Sequence, residues 1–266
     1  MAQAFPQDDL RFPPSLTFLG TGTSMGVPMI GCECGVCTST DPRNHRTRTG
    51  VLIQGPGGNV IIDTGPELRL QLVRARVHEL LAVVYTHAHA DHIMGLDDLR
   101  IFGFKQKRAV PLYCEEAVEK TIRSTFAYAF QAVETWHTKP MLDFERIGLE
   151  PFQLAGLQFQ PLRLIHGQLP ILGFRLNNVA FCTDVSAIPP ETVSQLQGLD
   201  VLIIGAIRDE PHPTHFTVAQ ALDVIAELRP RKAYLTHISH TLDHERTNRR
   251  LPQHVELAYD GLRVML

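Results

Sequence analysis

Four side chains able to bind metal crowd into six residues, at His87, His89, Asp91 and His92, directly after the apolar run Leu80–Tyr85. Imidazole and carboxylate are the usual ligands of zinc and its first-row neighbours, and a strand that ends in such a run mounts them on a rigid support. Three further candidates stand where an apolar run meets a loop. These are His166 after Leu162–Ile165, Asp184 after Phe181–Thr183, and His237 after Ala233–Thr236. Singly, each is explained as a strand-end residue that satisfies loop backbone. Together, they would leave carboxylates unneutralised and imidazole lone pairs unused at one edge of the fold unless cations sat among them.

A second cluster has different chemistry. Cys32, Cys34 and Cys37 form Cys-x-Cys-x-x-Cys, and three thiolates this close can converge on one zinc at ~2.3 Å if a fourth ligand completes the tetrahedron. His240, three residues beyond His237, is the favoured fourth ligand, because a zinc there would staple the long Gly20–Gly50 loop to the segment carrying His237. A redox pair with a spare thiol and plain packing are the competing readings of the three cysteines. Cys114 and Cys182, inside strand patterns, read as buried apolar residues.

The elements that must position these groups are legible as alternating runs. Leu16–Gly20 reads as a strand, Gly50–Gln54 and Asn59–Asp63 as a hairpin around Gly55-Pro56-Gly57-Gly58, and Pro66–Ala75 as a helix. A strand at Val110–Tyr113 and a helix from Glu115 to Arg123 follow, then a less regular aromatic stretch at Phe126–Met141. Phe144–Ile147, Leu157–Ile165, Leu172–Leu176 and Val179–Cys182 read as consecutive antiparallel strands. Helices at Pro189–Leu196 and Thr217–Leu228 then alternate with strands at Asp200–Ile204 and Lys232–Thr236, before a short helix and a strand near Leu262–Met265. This order predicts an α/β four-layer αββα sandwich, one domain over 15–266 behind a loose tail at 1–14. An echo between Ile61–Gly65 and Ala180–Asp184, each ending in a strand-terminal Asp, suggests two similar halves.

Composition narrows the partners. With 266 residues, 44% hydrophobic and 20% charged, and a net charge of −3, the chain reads as an ordinary globular protein with no electrostatic footprint for nucleic acid or an anionic membrane. No run is long enough to span a bilayer and no secretory signal is visible, so a cytoplasmic location is expected. The odd count of five cysteines, three of them clustered, suits a reducing compartment.

The order Asp63-Thr64-Gly65, His87-x-His89-x-Asp91-His92, His166, Asp184 and His237 resembles the metallo-β-lactamase fold superfamily across nearly the whole chain. That resemblance implies two divalent cations, zinc or manganese. His87, His89 and His166 would hold one; Asp91, His92 and His237 would hold the other; Asp184 would bridge them. Asp63 would orient these groups without binding metal. Two cations about 3.5–4 Å apart can hold a bridging hydroxide and clamp attacking and leaving oxygens. Leu19–Thr23 before Cys32–Cys37, with Leu235–His240, further resembles the phosphoribosyl 1,2-cyclic phosphate phosphodiesterases of bacterial phosphonate degradation. This implies a small phosphodiester substrate, a structural zinc on Cys32, Cys34, Cys37 and His240, and His215 as general acid. Two departures from that pattern, the tail before Phe12 and the Phe126–Met141 stretch, bear on the substrate mouth.

Arg43, Arg46, Arg48 and Arg208 are candidates for gripping phosphate, since a guanidinium donates two parallel bonds. His212, flanked by prolines, is a weaker proton donor than His215. The competing functions are a thioester or lactone hydrolase on the same two metals, and a non-hydrolytic protein resembling the B type of pyrroloquinoline quinone biosynthesis. Transfer-RNA 3′-end processing would need an RNA-gripping arm or basic footprint. The expected partner is a small phosphodiester; a homodimer is left open.

Overall fold

The computed structural model describes residues 13–131 and 139–266. The expected tail lies outside them except at its last two residues, as does much of the aromatic stretch at 126–141.

Two seven-stranded sheets face one another. The first runs β14 (Arg263–Met265), β1 (Ser15–Gly20), β2 (Gly50–Gly55), β3 (Gly58–Ile62), β4 (Ala82–Val84), β5 (Val110–Cys114) and β6 (Leu142–Arg146). The second runs β13 (Val255–Leu257), β12 (Lys232–Thr236), β11 (Val201–Gly205), β10 (Val179–Cys182), β9 (Leu169–Leu176), β8 (Leu157–His166) and β7 (Phe152–Leu154). Strand periodicity explains the layering, because successive side chains point to opposite faces. Val51, Ile53, Val60 and Ile62 join Phe159, Phe174 and Phe181 in the core between the sheets. The alternate residues Leu52, Ile61 and Val83 face the outer helices α1 (Leu68–Arg74), α3 (Arg100–Gln106) and α4 (Glu116–Thr125) with Leu72, Phe102 and Ile122. On the other side, Leu202, Ile204 and Leu235 pack on Ala221, Ile225 and Leu228 of α7 (Val218–Leu228). The result is the expected αββα sandwich.

Each half repeats one pattern, an antiparallel group followed by parallel strands, and β3 and β10 occupy the same fourth place in their sheets. One expectation is corrected. The strand at 142–146 is not antiparallel to its successors but joins the first sheet parallel to β5, because Leu142 and Phe144 pack with the outer helices of that sheet. The short strands β7 and β13 were not foreseen. Among the described residues, no helix is long and apolar enough to cross a membrane.

Candidate metal centre

The strand ends deliver the expected ligands to one edge. His87 follows β4 by three residues, and α2 (Ala90–Ile93) turns Asp91 and His92 back toward it. His166 ends β8, Asp184 lies two residues past β10, and His237 directly follows β12. Asp63, Asp184 and His237 all have left-handed backbone, at φ of 66°, 54° and 56°. Such turns cost non-glycine residues on the order of 1 kcal/mol each, and strain of this kind collects at functional sites.

Two groups converge: His87, His89 and His166, and Asp91, His92, Asp184 and His237, with ligand atoms within 4.8 Å of one another in each. Asp184 also groups with His166 and His215, which places it between the two. His92 Nε2 lies 3.4 Å from both Asp91 Oδ2 and Asp184 Oδ1, and Asp184 Oδ1 lies 3.3 Å from His237 Nδ1.

Proton accounting shows which nitrogens are left to bind. Thr86 donates to Asp63 through both its backbone N–H (2.8 Å) and Oγ1 (2.7 Å). Having spent its proton, Thr86 Oγ1 accepts from His87 Nδ1 at 2.9 Å. His92 Nδ1 donates to Asp63 Oδ2 at 2.7 Å, and His166 Nδ1 to the Thr214 carbonyl at 2.7 Å. A neutral imidazole with a donating Nδ1 presents a lone pair at Nε2. His87 Nε2 and His92 Nε2 are buried without any hydrogen-bond partner. Buried nitrogens are seldom orphaned, and rings held through Nδ1 with Nε2 bare are what metal ligation requires. The donor set therefore fits divalent cations bound by nitrogen and oxygen.

Electrostatics agree. Burial holds His87 well below the usual imidazole range. Burial also opposes charge on His92, but Asp184, Asp63 and Asp91 outweigh it and favour a positive charge at that ring, one that a cation at Nε2 would supply in place of the proton. Asp184 is fully buried, yet His237 and His92 keep its carboxyl well below the ordinary range. Ionised carboxylates therefore stand among imidazoles in a site that demands positive charge. Asp63 plays a different part. Its oxygens are taken by Thr86 and His92, so it orients the His92 ring directly and the His87 ring through Thr86, and offers no oxygen to either metal-binding group.

His215 rides on the loop between β11 and α7. The Thr217–Gln220 capping box at the start of α7 anchors that loop, with bonds of 3.1 Å and 2.9 Å. Its ring stacks on His237 at 4.7 Å between centroids and lies 4.6 Å from His166, and its Nδ1 is buried without a partner. Burial, then the neighbouring His237, pushes its pKa down to about 3.

The cysteine loop also closes as expected. Cys32, Cys34, Cys37 and His240 form a group within 4.8 Å, with His240 Nδ1 at 3.3 Å from Cys32 Sγ and 3.4 Å from Cys34 Sγ. Backbone N–H groups of Met29 and Cys37 donate to Cys37 and Cys34 sulfur. The Cys37 amide and then His240 pull the Cys34 thiol down to about 6, favouring the thiolate a metal takes.

Of the four arginines expected at phosphate, Arg46 requires correction. Arg46 is 2% exposed, and its guanidinium donates to Thr21 Oγ1 (2.9 Å), the Ala258 carbonyl and His244, so it props the loop from inside. Arg48 is paired with Glu67, and Arg43 with Asp41 and Glu245. Arg208 donates to its own loop, at the carbonyls of Glu210 and Pro211. Sequence reasoning missed the ring-orienting partners Thr49, Thr86 and Thr214. Thr49 Oγ1 donates to the Gly22 carbonyl and accepts from His237 Nδ1 at 3.0 Å. Only the adjacency of Thr86 to His87 offered a signal.

Residues 58–238 match the Beta-lactamase superfamily domain. The chain is 42% identical to the crystal structure of a new diphosphatase from the PhnP family, with a TM-score of 0.90 over 96% of this chain and 98% of that one. It is 39% identical to an octanoyltransferase of Porphyromonas gingivalis over 93% of its own length but 51% of the relative's, so it spans about half of that protein. The zinc-bound PqqB of Methylobacterium extorquens superposes with a TM-score of 0.78 at 17% identity, covering 95% of this chain and all of that one, a likeness of fold alone. Sandwich, histidine-rich edge and sequence match agree: the chain belongs to the metallo-β-lactamase superfamily and is similar to a diphosphatase of the PhnP family.

Proposed function

We propose that the protein is a dinuclear metallohydrolase of small phosphodiesters, esters of diphosphate included, with His215 as proton donor to the leaving oxygen. The observation that carries this reading is the pair of orphaned Nε2 atoms, on His87 and His92, beside ionised Asp184, with the buried ring of His215 stacked on His237 of the same site. His87, His89 and His166 would hold one cation, and Asp91, His92 and His237 the other, with Asp184 shared. Zinc and manganese both suit these ligands. Bound there, the cations supply Lewis acidity and a water acidified enough to attack phosphorus.

The chain's own residues do the rest. Asp63 and Thr86 hold His87 and His92 in the ligating tautomer, and Thr214 does the same for His166. His215 is neutral in the substrate-free pocket. An anionic phosphate beside it would favour the imidazolium that can protonate a departing oxygen. The similarity to a diphosphatase supports a phosphorus centre over a carbonyl. Cys32, Cys34, Cys37 and His240 would hold a structural zinc.

The test combines metal analysis with a substrate panel. About three metal equivalents per chain are expected, with turnover of bis-p-nitrophenyl phosphate well above that of a thioester or a lactone. His215→Ala should lower kcat/KM roughly 10²–10⁴-fold for an alkyl phosphodiester and much less for a nitrophenyl one, whose leaving group needs no proton. Preferential thioester or lactone turnover, or equal losses with both leaving groups, would count against the reading.

A further inference from the structure

Arg46 is buried and Arg43, Arg48 and Arg208 are bonded within the protein; the departing part of a substrate would pass beside His215. His212 stands at that place. Its ring lies 4.9 Å from that of His215, on the same loop and partly open to solvent. Thr214 N–H donates to His212 Nδ1 at 3.3 Å, and Thr214 Oγ1 lies at the same distance. An imidazole that accepts at Nδ1 carries its hydrogen on Nε2 when neutral. Burial and the nearby Arg208 lower the pKa of His212, which keeps it neutral.

The loop is rigid where His212 sits. Pro211 and Pro213 flank it, Arg208 ties back to the Pro211 carbonyl at 2.8 Å, and Thr214 receives His166 Nδ1 on its own carbonyl. Phe216 N–H bonds the Val185 carbonyl at 2.7 Å, fixing the far end of the loop next to Asp184. Gly167 packs so closely that a Cβ there would lie 2.8 Å from Thr214 Cγ2. His212 is thus registered against His166, Asp184 and His215 by short bonds and packing.

Resting on the phosphodiesterase reading above, we propose that His212 is a specificity-determining residue whose Nε2–H binds a phosphate oxygen on the leaving arm of the substrate. A leaving arm that ends in phosphate, as in a diphosphate ester, gains this bond. An alcohol or phenol does not. The preferred substrates are accordingly those in which phosphate leaves from phosphate.

The experiment compares metal-loaded wild type, His212→Phe and His212→Gln on two substrates. One is a symmetrical dinucleoside diphosphate, whose leaving arm is a nucleotide. The other is the p-nitrophenyl ester of thymidine 5′-phosphate, whose leaving arm is a phenolate. The readout is the ratio of the two kcat/KM values, which is independent of the fraction of enzyme correctly folded. The ratio should fall about tenfold in His212→Phe, as expected for a lost hydrogen bond to a charged group, and recover most of the way in His212→Gln, which keeps an N–H. An unchanged ratio in His212→Phe would overturn the role of His212 while leaving the hydrolase reading intact. Failure of wild type to cleave either substrate would overturn that reading and this one with it.

Discussion

The two clusters that could hold metal are built in opposite ways. At the sheet edge, every candidate ligand sits on or next to a regular element or in the short turn between β4 and α2, six of the seven are buried, and ring nitrogens are oriented by Asp63, Thr86, Thr49 and Thr214. At the cysteine loop, three of four ligands come from a segment without helix or strand, and the local apolar cluster has only Val27, Val36 and Cys37 as its buried members. The first site is organised by the fold before any cation arrives. In the second, so small a core offsets little of the backbone entropy of the loop, and a bound metal would do much of the ordering.

The largest expected effect follows from the first arrangement. Asp184→Asn keeps shape and burial but removes the charge that both groups share. Activity should fall at least about a thousandfold with loss of edge-site metal, while the circular dichroism spectrum and the cysteine-bound zinc persist. Retention of both edge metals with near-normal turnover would refute the assignment of Asp184. The second arrangement predicts a different failure. Cys34→Ser should cost one zinc per chain and strip hydrogen-exchange protection from residues 29–41. A smaller loss of activity, roughly tenfold, is expected as the His237 segment loosens. If protection of that loop is unchanged in the zinc-free variant, the loop is ordered by packing and the contrast between the sites disappears.

The same contrast explains what the sequence could reveal. Edge ligands are legible because strands end in recognisable polar residues, and the type and spacing of His87, His89, Asp91 and His92 survive any detail of packing. Asp63 and Asp184 look alike in sequence, each closing the fourth strand of its sheet with left-handed backbone. Only the fold separates them, by wrapping Asp63 in the donors of Thr86 and His92 and leaving Asp184 among metal-binding groups. The partner of His237 is Thr49, 188 residues away, a pairing that no local pattern encodes. The placement of β6 was misjudged because its register depends on Leu142 and Phe144 packing with distant helices. Arg46 reads as a phosphate donor because a guanidinium in a long loop suggests an anion, whereas the loop folds over this one side chain and buries it.

Arg46 also yields the most delicate test of how the loop is held. Its Nη2 donates to His244 Nδ1 at 3.2 Å, at the base of the loop and opposite the cysteines. Burial, followed by Arg46 and Arg43, lowers the pKa of His244 to about 4 against the partial offset of Asp41 and Glu245. The ordinary imidazole value is 6.5, so as pH falls below that point the unfolded chain takes up the proton first. The stability that a neutral His244 contributes is therefore complete above pH 6.5 and is lost progressively toward pH 4. Urea unfolding of the metal-loaded protein at about pH 7 and 5 should show wild type losing about 1–2 kcal/mol more than His244→Gln across that interval. Parallel pH profiles for the two proteins would mean that the base of the loop tolerates a second positive charge beside Arg46. The loop would then owe its shape to the cysteine end alone.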